Sequence, residues 1–156
     1  MSKVIVVGAT GLVGSTIIEL LEERSFPIDE IKFLASPKSA GKTITFRGEG
    51  HVVKTLAPEE FEGYDLALFA AGSTVSEKYA PLAMEAGVRV IDNSSFFRMH
   101  DDVPLVVPEV NGDVIKEDDL LIANPNCSTI QCMPALAAID RAYILKRATF
   151  SSYQDG

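Results

Sequence analysis

Cys127 is the side chain in this sequence that is best suited to covalent chemistry. It follows an Asn-Pro-Asn turn at 124–126, which ends the apolar run 120–123, and it opens a stretch with apolar residues at helical spacing. The pattern predicts a buried strand, a polar turn and a helix that begins at the cysteine. Unpaired N–H groups and the dipole at a helix start favour a thiolate, so the sequence predicts that Cys127 is a nucleophile. The alternative is a buried structural thiol, the role that we expect for Cys132.

A glycine-rich segment near the start of the chain, Gly8 to Gly14, could bind a phosphate group. It lies between the β-branched run 4–7, typical of a strand covered on both faces, and an amphipathic stretch that predicts a helix. Glycines allow a tight turn, and a phosphate can approach the free N–H groups where the helix starts. The spacing G-x-x-G-x-x-G departs from G-x-G-x-x-G, so a dinucleotide site is one interpretation and a ligand-free turn is the other.

The loop after a second predicted strand, Ile31–Ala35, indicates which dinucleotide would bind. NAD-binding folds place an acidic residue at this strand end to hold the ribose hydroxyls, and no acid stands here. The loop instead carries hydroxyl and ammonium groups that suit a 2′-phosphate, namely Ser36, Lys38, Ser39 and Lys42. The loop therefore predicts NADP rather than NAD, and a solvated turn with clustered lysines is the alternative.

Further strands and helices alternate along the chain. Strands are predicted at 65–71 and 88–92, and the turn Gly72-Ser73 lies where doubly wound sheets meet their ligands. Between these strands a capping box at 74–77 predicts the start of a helix that Pro81 kinks or restarts. Strand, helix and strand at these lengths predict right-handed crossovers. The predicted fold class is therefore α/β, a Rossmann-like doubly wound and mostly parallel sheet.

Four segments outside this alternation complete the predicted organisation. They are a surface hairpin or irregular connection at 47–63, an extended piece at 105–111, a helical turn at 114–119 and a strand at 147–153. The last of these alternates apolar and polar residues, and we expect it to be the exposed first strand of a further sheet.

Arg98 could bind a second anion. It follows the polar residues that leave the end of the strand at 88–92, and a guanidinium binds phosphate or carboxylate in a bidentate manner. A surface ion pair is the commoner role for such an arginine, and Asp101 and Asp102 stand close by. On the local sequence alone, the ion pair is the favoured interpretation.

Composition limits the remaining possibilities. The 156 residues are 47% hydrophobic, which is enough for one core and one domain as a starting expectation. A net charge of −8 argues against nucleic acid as a partner. No stretch has the pattern of a signal peptide or a membrane span, so we expect a cytoplasmic location. The two cysteines lie on different faces of one predicted helix, which argues against a disulfide, and with His51 and His100 they are too few to predict a metal site.

Several motifs together resemble those of the aspartate-semialdehyde dehydrogenase family. They are residues 8–14, the loop 36–42, residues 91–94 with Phe97-Arg98, residues 106–111, residues 124–129 and residues 152–154. The resemblance runs along the whole chain but covers somewhat under half of the family's usual length. It implies an NADP-binding Rossmann-like domain at 1–126, followed at 127–156 by the nucleophile helix and the first strand of a truncated catalytic and dimerisation domain.

The resemblance implies a role for each matching residue. Cys127 matches the nucleophile, Arg98 and Asn126 match substrate contacts, and Gln154 matches the glutamine that orients the substrate. The implied cofactor contacts are Gly8, Thr10, Gly11, Leu12 and Val13 at the pyrophosphate, Ser36, Lys38 and Ser39 at the 2′-phosphate, and Ala71, Gly72 and Ser73 beside the nicotinamide.

The implied reaction is reductive dephosphorylation of aspartyl phosphate in lysine, methionine and threonine synthesis. The thiolate displaces phosphate to form a thioester, and hydride supplied by NADPH releases aspartate semialdehyde. In the family the general-base histidine, an arginine for the substrate carboxylate and most of the homodimer interface lie beyond the matching region. We therefore expect a polypeptide of these 156 residues to turn over little and to self-associate. The alternative is a non-catalytic NADP-binding or assembly module derived from that enzyme.

Overall fold

The computed structural model describes residues 2–153, which form strands and helices in alternation. The strands of this part of the chain are β1 (Ser2–Val7), β2 (Ile28–Ala35), β3 (Thr43–Phe46), β4 (Glu49–Val52), β5 (Lys54–Thr55), β6 (Leu66–Phe69), β7 (Arg89–Asp92) and β8 (Leu121–Ala123). Its α-helices are α1 (Leu12–Glu23), α2 (Ser73–Glu85), α3 (Pro108–Asn111) and α4 (Cys127–Tyr143). Its single 3-10 turns are Pro58–Phe61, Phe96–Met99 and Gly112–Val114.

Six of the strands form one parallel sheet in the order β5-β2-β1-β6-β7-β8. Numbered along the chain within this sheet, the order is third, second, first, fourth, fifth, sixth, which is the order of a Rossmann-like doubly wound fold. The predicted fold class is therefore confirmed. The strand order reverses between β1 and β6, whose ends Val7 and Phe69 are paired. Folds of this kind bind their ligands in the crevice at such a reversal.

The apolar residues of β1 pack into two cores on opposite faces of the sheet. Val7 belongs to a cluster with Ala80 of α2, whereas Val6 packs in a second cluster with Ile18 of α1. All residues of the run 4–7 are fully buried. Coverage on both faces explains why this run contains no polar residue. A hairpin is present as β3–β4 and packs on the α1 side, but only its second strand lies within the range 47–63 for which a hairpin or irregular connection was predicted. The rest of that range contains β5 and the 3-10 turn Pro58–Phe61.

Two glycines of the turn between β1 and α1 are required by packing. Gly8 has φ +82, and a Cβ there would lie 2.7 Å from the carbonyl oxygen of Ala70. A Cβ on Gly14 would lie 2.2 Å from the oxygen of Gly8, so α1 approaches β1 closely. A Cβ on Gly11 would stay 3.4 Å from the nearest atom, and the φ of Gly11, −87, is ordinary for any residue. The fold itself thus needs glycine at positions 8 and 14 but tolerates a side chain at 11.

α2 differs from its prediction at its start and in its middle. The helix begins at Ser73 with Gly72 as its N-cap, so the capping box expected at 74–77 is not used. Gly72 already has extended backbone angles, which place the first turn two residues earlier than the box requires. The helix also continues through Pro81 without a break. Pro81 is exposed while Ala80 before it is fully buried, so packing against the sheet outweighs the lost hydrogen bond.

The segment before β8 is less regular than predicted. Only Leu105 of the extended piece expected at 105–111 pairs with β8. Pro108 starts α3 instead, because a helix start has no partner for the N–H group that proline lacks. The helical turn expected at 114–119 lies earlier in the chain, in the 3-10 turn that ends at Val114.

The chain after β8 contains α4, which begins at Cys127 as predicted and runs through Pro134. None of the residues of α4 is buried. Residues 147–153 are exposed and form no strand, so the prediction of an edge strand there is wrong. A strand needs a neighbour for its hydrogen bonds, and within residues 2–153 no strand pairs with this segment. In the same described part of the chain, no helix has the length and apolar character needed to cross a membrane.

Candidate active site

Two cavities at the carboxyl ends of the strands share a wall formed by Ala70 and Ala71. The first, which we name the glycine-turn cavity, has a volume of about 420 Å³ and is also lined by Val7, Gly8, Thr10, Gly11, Ala35, Ser36, Pro37, Leu56, Val75 and Tyr79. The second, which we name the cysteine pocket, has a volume of about 270 Å³ and is also lined by Val13, Asn93, Arg98, Asn124, Pro125, Asn126, Cys127 and Ile130. The structure thus brings the glycine turn, the arginine and the cysteine to one edge of the sheet.

The start of α1 lies beside the glycine-turn cavity. Gly11 is its N-cap, and no side chain caps the first N–H groups of the helix. A helix start with uncapped N–H groups can receive an anion. Leu12 and Val13 follow directly and are 85% and 51% exposed although both are apolar. Thr10 lines the glycine-turn cavity and Val13 lines the cysteine pocket, so this segment reaches both.

The loop after β2 forms a turn at the rim of the glycine-turn cavity. The N–H group of Ser39 donates to the carbonyl oxygen of Ser36 at 2.9 Å. Ser36 lines the cavity, whereas Lys38 and Ser39 lie on the turn next to it. Lys38 is exposed and takes part in none of the salt bridges within residues 2–153. Its ammonium group can therefore turn towards a phosphate at the rim.

The segment that follows β6 contributes less to the cavities than predicted. Of the three residues expected beside the nicotinamide, Ala71 alone lines a cavity. Gly72 caps α2 instead, and the hydroxyl of Ser73 lies 2.9 Å from that of Ser95. The contact between Ser73 and Ser95 therefore joins the start of α2 to the loop after β7.

A fully buried carboxylate, that of Asp92, fixes the same two elements. It accepts hydrogen bonds from the hydroxyls of Ser76 and Ser94, each at 2.7 Å, and from the N–H group of Ser94 at 2.9 Å. Buried charges persist when hydrogen-bond donors surround them. Asp92 thereby holds α2 and the loop that leads to Arg98 against the end of β7.

Cys127 is the first residue of α4, and its side chain is exposed in the cysteine pocket. The preceding residue, Asn126, is the N-cap, and its Oδ1 accepts from the N–H group of Ser128 at 2.9 Å. Asn126 therefore orients the start of the helix as well as lining the pocket. Cys132 differs because its Sγ lies 3.1 Å from the carbonyl oxygen of Thr129, towards which it donates inside the helix. Both thiols are free.

Arg98 points its guanidinium at main-chain oxygens and not at the acids next to it. Its Nε donates to the carbonyl oxygen of Asn124 at 2.8 Å, and its Nη2 donates to that of Asn93 at 3.1 Å. The salt bridges of the described residues 2–153 do not include Arg98, so the ion pair expected with Asp101 or Asp102 is wrong. The main-chain oxygens at the strand ends bind the guanidinium in preference to the two carboxylates because they are two acceptors at fixed positions. The remaining N–H groups of Arg98 can donate to an anion in the pocket.

Several residues that line the two cavities were not predicted from the sequence. Leu56, Val75 and Tyr79 give the glycine-turn cavity an apolar lining, and in the sequence they resemble ordinary core residues. Asn93 and Asn124 line the cysteine pocket. The sequence could have indicated these two asparagines, because each directly follows a strand. Parallel sheets bind ligands at the carboxyl ends of their strands.

One predicted site residue, Gln154, lies outside the described residues. Within residues 2–153 no group of three or more His, Cys, Asp or Glu side chains is close enough together to hold a metal ion.

The sheet order and the glycine turn at its reversal define a Rossmann-like, dinucleotide-binding class of protein. The family described as "Semialdehyde dehydrogenase, NAD binding domain" matches residues 3–118. The chain belongs to this family. The predicted resemblance to the semialdehyde dehydrogenases is thereby confirmed.

Relatives and solved structures extend the match beyond residue 118. Aspartate-semialdehyde dehydrogenase of Bacillus subtilis (strain 168) is 50% identical over 151 residues, which cover 97% of this chain and 44% of the relative. Aspartate semialdehyde dehydrogenase II of Vibrio cholerae, complexed with ASA, is 51% identical with a TM-score of 0.86, covering 91% of this chain and 47% of that one. The Candida albicans enzyme with NADP is 28% identical with a TM-score of 0.76, covering 93% and 48%. The chain spans about half the length of these proteins.

Proposed function

We propose that this chain carries the nucleophile and the cofactor site of an NADP-dependent aspartate-semialdehyde dehydrogenase. The observation that carries the proposal is the wall of Ala70 and Ala71 between the glycine-turn cavity and the cysteine pocket. A dinucleotide at the glycine turn can extend along this wall to the pocket that contains Cys127. The similarity to aspartate-semialdehyde dehydrogenases, one of them complexed with ASA, supports aspartyl phosphate and aspartate semialdehyde as the substrate pair.

The residues of the glycine-turn cavity fit the cofactor. Gly8 and Thr10 line it, and the uncapped N–H groups of α1 offer donors to a pyrophosphate. The fold tolerates a Cβ at Gly11, so glycine is of use there when a ligand approaches the main chain. Leu12 and Val13 offer exposed apolar surface for a ligand to cover. Bound there, NADPH supplies the hydride of the reaction.

Preference for NADP over NAD is part of the proposal. Ser36 at the cavity and Lys38 and Ser39 on the adjoining turn supply hydroxyl and ammonium groups to a 2′-phosphate. The loop also lacks the acidic residue that holds the ribose hydroxyls of NAD. The Candida albicans relative with NADP supports the same preference.

Cys127 and Arg98 divide the acyl chemistry between them. The sulfur of Cys127 attacks the acyl carbon of aspartyl phosphate, and a thioester forms as the bond from that carbon to the phosphate oxygen breaks. Arg98 binds the phosphate as it leaves, because its remaining N–H groups and positive charge face the same pocket. Asn126 lines the pocket beside the sulfur and contacts the substrate, and Gln154 is proposed to orient it.

We further propose that 1–126 is the cofactor domain and that 127–156 begins a catalytic and dimerisation domain. The absence of buried residues in α4 supports this division, and so do the apolar residues exposed near its end, such as Tyr143 at 83% and Ile144 at 78%. A polypeptide of these 156 residues should self-associate with rising concentration and turn over little. A monomer at every concentration in sedimentation would contradict the first expectation. Two free thiols fit a cytoplasmic location.

The central experiment exposes the chain to aspartyl phosphate and follows its intact mass. One aspartyl adduct for each chain is expected on Cys127, with loss of the adduct in Cys127→Ser. Cys132→Ser is the matched control, since it removes the other thiol and should keep the adduct. Iodoacetamide should label Cys127 faster than Cys132, and NADPH or inorganic phosphate should slow the labelling of Cys127.

Two results would contradict parts of the proposed function. Slow and equal labelling of both cysteines, with no aspartyl adduct, would favour the non-catalytic NADP-binding module. Equal affinity for NADPH and NADH in calorimetry would remove the NADP preference while leaving the nucleophile in place.

A further inference from the structure

The amide side chains of Asn93 and Asn124 form a pair at the ends of two neighbouring strands. Asn93 follows β7 and Asn124 follows β8, and Nδ2 of Asn124 donates to Oδ1 of Asn93. Nδ2 of Asn93 donates in turn to the carbonyl oxygen of Phe69, the last residue of β6, at 2.9 Å. The pair therefore joins the ends of three adjacent strands. Both side chains are half-buried and line the cysteine pocket.

The main-chain carbonyls of the same two residues hold Arg98. The oxygen of Asn124 accepts from Nε at 2.8 Å, and the oxygen of Asn93 accepts from Nη2 at 3.1 Å. A guanidinium has five N–H groups, so three stay available for an anion in the pocket. A free arginine side chain loses much conformational freedom when it binds a ligand, and one already fixed by the protein avoids most of that loss.

We propose that Asn93 and Asn124 are positioning residues that orient Arg98 for binding a phosphate group. The inference rests on the proposed role of Arg98 as the phosphate ligand. Each amide fixes the residue whose carbonyl oxygen holds the guanidinium, so neither amide has to touch the anion. The main-chain N–H group of Asn93 also donates to Phe69, at 3.0 Å. Loss of one amide side chain therefore leaves this link between the strands in place, and its main effect falls on Arg98.

The test compares phosphate binding in the 156-residue chain with that in Asn93→Ala, Asn124→Ala, the double variant and Arg98→Ala. Inorganic phosphate is the probe, and amide chemical shifts around Cys127 report its binding. Each single asparagine variant is expected to bind phosphate about tenfold more weakly, the loss that follows when a charged hydrogen bond loses its geometry. The double variant is expected to bind no more weakly than the weaker single variant, because the two amides act as one unit.

The Nε–H signal of Arg98 gives a spectroscopic measure that does not depend on the anion. In the unaltered chain this proton forms a hydrogen bond with the carbonyl oxygen of Asn124 and should exchange slowly with water. In both asparagine variants it should exchange faster, although the carbonyl oxygen itself is still present. A purely structural loosening of the strand ends elsewhere would not change this one signal.

Asn111→Ala is the matched control. Asn111 also uses its amide to hold main chain, since Oδ1 accepts from Val107 at 2.8 Å and Nδ2 donates to Leu105 at 3.0 Å. It does not line the cysteine pocket. Its loss should lower the melting temperature and leave phosphate affinity unchanged. NADPH affinity should change by less than about twofold in all of the asparagine variants, since the amide pair acts on the phosphate side.

The possible results separate the amide pair from the proposed function. If Arg98→Ala impairs phosphate binding and both asparagine variants bind as the unaltered chain does, the inference is overturned and the proposed function stands. Equal losses of phosphate and NADPH affinity in the asparagine variants would also overturn it. If the unaltered chain binds no phosphate, or Arg98→Ala binds it equally well, the phosphate role of Arg98 fails and the inference fails with it.

Discussion

The glycine-turn cavity and the cysteine pocket lie side by side, yet the chain builds them in different ways. The turn between β1 and α1 lines the first cavity with Gly8, Thr10 and Gly11, and two of these three residues are glycines. Side chains from the ends of β7 and β8 and from the start of α4 form the second. The shape of the first cavity therefore depends on the space that its glycines leave open. The shape of the second depends on hydrogen bonds between residues far apart in the sequence, such as that from Arg98 to Asn124.

The helices at the two cavities differ in how firmly they are packed against the rest of the fold. α1 is anchored by buried residues, Gly14 and Ile18, close to its start and middle. α4 has no buried residue, and it contacts α3 through Arg141, whose Nη2 donates to the carbonyl oxygen of Val110 at 3.3 Å. A change in α1 should therefore alter the stability of the whole fold, whereas a change at the start of α4 should alter the pocket alone.

Gly14→Ala should have the largest effect, because it acts on the packing beneath the glycine-turn cavity. Its Cβ would lie 2.2 Å from the main-chain oxygen of Gly8, and neither α1 nor β1 can move away without disturbing a buried core. Overpacking of this kind should lower the free energy of unfolding by about 3 kcal/mol. The better helix propensity of alanine offsets only about 1 kcal/mol. Urea unfolding measures the change, and a variant as stable as the unaltered chain would contradict the close packing of α1 on β1.

Gly11→Ala makes the same substitution in the same turn, where there is room for it. A Cβ would stay 3.4 Å from the nearest atom, so the free energy of unfolding should fall by less than about 1 kcal/mol. NADPH affinity should fall about tenfold, because the methyl group stands beside the N–H groups that would hold a phosphate. Calorimetry measures it. Unchanged NADPH affinity would argue that the turn is a packing device without a ligand.

The two cavities also differ in how far the sequence predicts them. The β-branched strand, the glycine spacing and the helix that starts at Cys127 are local patterns, and the mostly parallel sheet follows from the alternation of strands and helices. The edge strand β5 was not predicted. The pair of Asn93 and Asn124 joins residues 31 positions apart, and no local pattern indicates which side chains meet. Arg98 shows the same limit, since its sequence neighbours Asp101 and Asp102 favour an ion pair that carbonyl oxygens from distant strand ends replace.

Two elements show how tertiary contacts override local patterns. Pro81 predicts a kink, but burial of Ala80 keeps α2 continuous through it. Residues 147–153 alternate like a strand, but a strand depends on a partner, and none of the described strands lies beside them. In both places the local pattern indicates a real preference, and contacts with distant parts of the chain decide the outcome.

An ion-pair cluster on β2 and the edge strand β5 makes the free energy of unfolding depend on pH. Glu60 accepts a hydrogen bond from Lys32 at 3.0 Å and another from Lys54 at 3.2 Å. The Lys32 bond is the main cause that lowers the pKa of Glu60 below its ordinary value of 4.5, and Lys54 adds to it. Because the folded pKa is the lower one, this carboxylate stabilises the fold fully above pH 4.5, and the effect is lost as the pH falls through the folded pKa.

Glu60→Gln should therefore lower the free energy of unfolding at pH 7 by about 1 kcal/mol and make its loss below pH 4.5 shallower. Urea unfolding at several pH values measures both effects. Glu59→Gln is the control, since the neighbouring Glu59 is exposed and takes part in none of the salt bridges of residues 2–153. Equal pH profiles for the two variants would contradict the role of the Lys32 contact.

Lys38→Gln should have the smallest effect and should act on one cavity only. Lys38 is exposed, so water and salt screen its attraction for a 2′-phosphate, and NADPH affinity should fall by only about threefold. NADH affinity should stay unchanged, because NADH has no phosphate at that position.

Lys116→Gln removes the same charge from the loop before β8, at the opposite end of the sheet, and should change neither affinity. Calorimetry at low and high salt measures the difference, which should shrink as salt rises. An equal fall for both nucleotides would instead place Lys38 near the shared part of the cofactor, and the preference for NADP would then need another cause.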